Sequence, residues 1–225
     1  REKYGEYAKS KRNATKARNS SGTEIPVTTR LAVTLRWLAG ASYLDLCFAW
    51  GISSSSFFSR RGVLWPTISA IDKALPMGFP VNDNERLEQL AEGFRNHSGG
   101  VMDGCVLALD GLGVIVRCPF KDDVERQRDY HFRKGGFAII VLAGCDVDGR
   151  FICATARHSG STNDIVAWND SELRYFLEVT QGLPSKYFFI GDEAFTNTQQ
   201  FLSPWPGRGL DRYKDSFNYW LSHSR

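Results

Sequence analysis

The chain has 225 residues, 42% of them hydrophobic and 24% charged, and a net charge of +3. This composition suits a globular protein with one sizeable core and a smaller attached unit, and it excludes collagen-like, wholly disordered and membrane-spanning classes. No window approaches the roughly 18 apolar residues of a membrane span, and the N-terminus REKYGEYAKSKRNATKARNSSG lacks the apolar core of a secretion signal. Cys47, Cys105, Cys118, Cys145 and Cys153 are odd in number, widely spaced and set among apolar neighbours. They read as reduced thiols of an intracellular protein, not as a disulfide framework.

Residues 1–24 carry seven Lys/Arg against three Glu, so this segment is basic while the rest of the chain is close to neutral. It reads as a flexible tail, either simply solvated or in loose contact with a polyanion such as nucleic acid. Residues 25–98 have helical periodicity. Leu31, Leu35 and Leu38 recur at the spacing of one apolar helix face, and Gly40 stands where a helix stops. A second helix fits Tyr43–Trp50, Gly51-Ile52-Ser53 makes a turn, and a third helix starts in the serines. That is helix-turn-helix spacing, with Ser55, Ser56, Arg60 and Arg61 placed to meet phosphates or base edges. Three small helices packed together with no DNA contact would give the same pattern. Pro66 begins or kinks a further helix, Pro76 and Pro80 break the chain, and Asn84–Asn96 is amphipathic, ending near Gly99-Gly100, where a domain boundary is expected.

Beyond Gly100 the period changes. VLALDGLGVIVRCP, GFAIIVLAGCDVDGRFICATARH and KYFFIGDEAF are β-branched and aromatic runs of strand length, punctuated by turns such as Asp148-Gly149. Between the last two, Ile165, Trp168, Leu173, Phe176 and Leu177 leave one side of a helix apolar, with Ser161 or Thr162 as its cap. Residues 99–225 therefore predict a mixed α/β sheet with flanking helices.

Two acids stand where an acid is costly. Asp110 follows the apolar run Val106–Leu109, and Asp192 follows Tyr187–Gly191. A carboxylate beside a buried strand needs a partner, and two of them on neighbouring strands repel unless a cation lies between them. Mg²⁺ or Mn²⁺ takes one or two carboxylates and leaves room for substrate phosphates, so the pair suits a phosphodiester-cleaving centre. Taken singly, each Asp also fits a turn residue that ends a strand, as in Asp110-Gly111. Asp164 is a possible additional acid, although an acid in a helix's first turn also complements the helix dipole with no chemistry implied. Asp146 and Asp148 look like hairpin-turn residues. His131, Arg128, Arg133 and Lys134 form a cationic loop, solvated or, beside a phosphodiester site, holding DNA. Zinc-ligand spacing, a P-loop and a dinucleotide fingerprint are all absent from the sequence.

In order along the chain, LAVTLRWLAGASYLDLCFAWGIS, LEQLAEGFRNHSG with ALDG, and YHFRKGGFAIIVLAGCDVDGRFICATARHSGSTND are followed by FIGDEAF, FLSPWPG and FNYWLSHSR. Together they resemble the PIF/Harbinger transposases, whose nuclease domain belongs to DDE superfamily 4. The third block resembles the family's Tyr-x-x-Lys-Gly, Asp-x-x-Gly and Gly-Ser-x-x-Asp elements. The resemblance implies an RNase H-like fold behind a small helix-turn-helix-like unit. It implies a divalent-metal-dependent endonuclease or strand-transfer domain acting on DNA, with Asp110 and Asp192 as catalytic metal ligands. Asp164 matches the acid of the Gly-Ser-x-x-Asp block. A Myb-like accessory partner and a nuclear location, or a cytoplasmic one without that partner, are further implications.

The chain departs from the family pattern at Leu112-Gly113, where Thr-His is usual, and at Glu193, where a small residue is usual. The family's third acid would fall past Arg225, so a fragment cut before that acid and a decayed copy are both expectations. The alternative function is a catalytically inactive remnant serving as a DNA- or protein-binding module.

Overall fold

The three apolar runs after Gly100 form four strands of one five-stranded sheet, in the order β3-β2-β1-β4-β5, and the short β5, from Phe201-Leu202, lies outside them. The computed structural model describes residues 22–75, 77–180 and 182–225. The basic segment up to residue 21 and Pro76, read above as tail and breaker, lie outside the described residues. Backbone contacts divide the chain into two units between Pro76 and Met77.

In the first unit, α1 (Val27–Leu38), α2 (Tyr43–Trp50), α3 (Ser54–Phe58) and α4 (Leu64–Ala74) surround a small core. Ile25, Val33, Leu46, Cys47, Ile52, Phe57, Val63 and Leu64 form it, with Trp37 and Ile68 partly buried against it. The predicted face of α1 is corrected: Leu31, Leu35 and Leu38 are 41%, 50% and 53% exposed, while Val33 and Thr34 are buried. This helix carries two apolar stripes, and the stripe of Val33 and Trp37 is the one that packs. Gly40 at φ +93° and Gly51 at φ +60° stop α1 and α2 as the sequence predicted. The Ser53 hydroxyl caps α3 by accepting from Ser56 N–H at 3.1 Å. Pro66 sits in the first turn of α4, where its missing N–H costs nothing.

The second unit corrects the expected boundary at Gly99-Gly100. Helix α5 (Asn84–His97) belongs with the sheet: its Leu87, Leu90 and Ala91 pack on Leu107 and Leu109. Periodicity showed that this helix has a buried face but not what covers it.

Strands β1 (Cys105–Val116), β2 (Phe137–Cys145) and β3 (Phe151–Ser159) are antiparallel neighbours, while β4 (Phe188–Ile190) and β5 (Phe201–Leu202) run parallel to β1. This mixed α/β architecture is consistent with an RNase H-like fold. Alternation along the strands makes two cores. Leu107, Leu109 and Phe189 join Trp168, Phe195 and Phe201 on one face. Cys105, Ala108 and Ile190 meet Leu221 of α8 (Arg212–His223) on the other.

The single helix predicted after Thr162 is interrupted. It forms as α6 (Asp164–Asn169) and α7 (Glu172–Arg174), the latter continuing as a π turn through Tyr175–Val179. Ser171 restarts it, accepting from Arg174 N–H at 3.0 Å. The residue preceding α6 is Asn163, not Ser161 or Thr162, and no side chain caps that end. Asp146 does close the β2–β3 turn, its carboxylate accepting from the N–H groups of Asp148 and Arg150 at 3.0 and 2.9 Å.

Candidate functional site

Strand β1 does not end at Asp110. It runs six residues further, and Asp110 pairs with Ala143 of β2. The turn reading of Asp110-Gly111 is therefore replaced by an acid inside a strand. Ala108 of β1 stands opposite Ile190 of β4 in parallel register. Asp110 and Asp192 each lie two residues beyond that pair, so adjacent strands lead both acids to the level at which β4 ends. Each carboxylate is oriented by a nearby N–H: Gly111 donates to Asp110 at 2.8 Å and Ala194 donates to Asp192 at 2.9 Å.

Asp164, the first residue of α6, approaches the same strand. Its carboxylate lies over the α-carbon of Gly111, where any Cβ would collide with it. Burial pushes its carboxyl above the ordinary range, and the charges of Asp192 and Asp110 push it in the same direction. Arg133 and Lys134 oppose that shift. The three acids and two loop cations picked out from the sequence thus form one electrostatic neighbourhood. Arg60 and Arg61 are exposed in the turn after α3, in the other unit.

One residue near the acids was not singled out from the sequence. Arg225 Nη1 lies 3.9 Å from Asp192 Oδ2, with side chains 28% and 30% exposed. Its signal was its place at the end of FNYWLSHSR, just beyond the helix α8 that covers this face of the sheet.

Among the described residues no three His, Cys, Asp or Glu side chains are gathered closely enough to hold a metal ion by themselves. A pair of carboxylates completed by water and phosphate oxygens remains the donor set Mg²⁺ prefers. The hard oxygens of Asp110 and Asp192 fit such a cation.

All five cysteines are free. Burial pushes the Cys105 and Cys153 thiols up, the latter to about 11, which makes them packing residues and not nucleophiles at neutral pH. No helix among the described residues is long and apolar enough to cross a membrane.

The family model described as DDE superfamily endonuclease matches residues 109–225, a span that begins one residue before Asp110 and includes Asp164, Asp192 and Arg225. No curated protein and no solved structure matches the chain. With more than half of its length matched, the chain belongs to the DDE superfamily endonucleases.

Proposed function

We propose that this protein is a transposase-derived, divalent-metal-dependent endonuclease of the PIF/Harbinger type that cuts or joins DNA phosphodiester bonds. The observation that carries the reading is the parallel register of β1 and β4, from whose last pair, Ala108 and Ile190, Asp110 and Asp192 are each two residues on, within the span matched by the family. Asp110 and Asp192 would hold the Mg²⁺ or Mn²⁺. When bound, the cation supplies charge neutralisation at the phosphodiester and lowers the pKa of water.

The chain's own residues do the positioning. The N–H groups of Gly111 and Ala194 fix the two carboxylates, and Arg225 restrains Asp192. Asp164, held above its ordinary pKa, is the additional acid and is suited to exchange a proton with the attacking or leaving oxygen. Arg133 and Lys134 present positive charge to the DNA backbone. In the helical unit, α2, the Gly51-Ile52-Ser53 turn and α3 are read as a helix-turn-helix, with Arg60 and Arg61 on phosphates. A nuclear location and a Myb-like accessory partner complete the proposal.

The test is nicking of supercoiled plasmid. The full chain is expected to nick in Mg²⁺ or Mn²⁺ and not in EDTA, and Asp110→Ala and Asp192→Ala are each expected to lower the rate at least 100-fold, the scale of losing a main electrostatic contributor. Salt-dependent DNA binding with no metal-dependent nicking would instead establish the inactive binding module.

A further inference from the structure

Glycine inside a strand weakens it unless something must come close. Strand β1 has two, Gly111 and Gly113, alternate residues on one face. A Cβ at Gly113 would run into the ring of Phe132, as one at Gly111 would run into Asp164. The bare strip of strand thus seats an aromatic ring and a carboxylate, and a cavity of about 880 Å³ opens over it. That volume is within the range of ligand pockets, about 300–1,000 Å³.

The loop that brings Phe132 here is tightly closed. Phe132 N–H donates to Gly136 O at 3.0 Å and Gly135 N–H donates to Phe132 O at 2.9 Å, with Gly135 and Gly136 at φ +97° and +79°. Arg133 and Lys134 are the tip of this turn. Both line the cavity, as do Ser161 and Thr162 from the other side. The ring of His131 packs on Phe137 at 4.7 Å and anchors the start of the loop.

A ligand for this cavity must offer a flat apolar surface to Phe132, an anion to Arg133 and Lys134, and polar groups to the hydroxyls. A nucleotide has all three. A base held in a duplex cannot enter, because its faces are covered by its neighbours in the stack. We infer that the cavity receives one unpaired nucleotide of the DNA strand, beside Asp164, the one of the three acids that lines it, with its base on Phe132 and its phosphate at Arg133 and Lys134. This rests on the nuclease reading and adds to it a preference for locally opened DNA.

The test is binding of the full chain in EDTA, where no cleavage occurs, to a labelled duplex with a short single-stranded gap and to the same duplex fully paired. The expected result is tighter binding to the gapped duplex. Phe132→Leu keeps apolar bulk but removes the stacking face, and should lose about tenfold on the gapped duplex and less than twofold on the paired one. Phe132→Tyr should restore the preference. Equal affinity for both duplexes, or Phe132→Leu binding gapped DNA like the parent, overturns the inference. So does a free mononucleotide that binds more tightly than the gapped DNA, since the site would then serve a small molecule. Nicking in Mg²⁺ that survives Asp110→Ala would overturn the nuclease reading alone.

Discussion

The two halves of strand β1 live in different surroundings. Cys105–Leu109 are all buried, and up to Ala108 they pair with β4, whereas from Asp110 onward the strand pairs with β2 alone and its side chains are mostly exposed or half-buried. The change falls at Asp110. The first half is scaffold: its alternating side chains serve both cores and fix where the carboxylate starts. The second half is an open shelf whose glycines admit Phe132 and Asp164. A carboxylate at that junction is held by a strand yet reachable by solvent, as the proposed cation site requires.

Damage to the scaffold half should have the largest effect. Phe189 packs against Trp168 and Phe201 beside β1, at ring-centroid distances of 6.5 and 6.4 Å. Phe189→Ala should cost ~3–5 kcal/mol, read as a lower midpoint in denaturant with nicking lost alongside the fold. On the shelf, Gly113→Ala forces Phe132 aside and should cost ~1–3 kcal/mol, with the sheet still formed by circular dichroism.

The smallest change has the opposite sign. Burial and like charge raise the Asp164 carboxyl in the folded protein, so its ionised form opposes folding once the pH rises through that raised value. In metal-free protein, Asp164→Asn should raise the melting temperature at pH 7. The gain should shrink as the pH falls and vanish below the ordinary carboxylate range, where the parent is protonated in both states.

The scaffold was more legible in the sequence than the shelf. Val106–Leu109 and Tyr187–Ile190 read as strands because burial on both faces demands continuous apolar runs; the acids that follow stood out for an expected desolvation, but Asp110 is exposed and Asp192 half-buried, so that cost is not what marks them. What failed was information about partners. Leu31, Leu35 and Leu38 have helical spacing, but spacing cannot say which of two apolar stripes meets a core. The helix Asn84–His97 was legible while its docking on β1 was not. Phe132 was not singled out at all, because its seat on Gly113 depends on how the loop folds back over β1. Arg225 meets Asp192 through the packing of α8, which no local pattern encodes.

The central claim is that Asp110 and Asp192 act as one cation site, and Mn²⁺ titration of the parent, Asp110→Asn, Asp192→Asn and the double variant tests it most directly. The account predicts that each single change weakens binding at least tenfold and that the double variant is hardly worse than either, because the two acids share one ion. Two independent, additive losses, or binding that neither substitution alters, would contradict it.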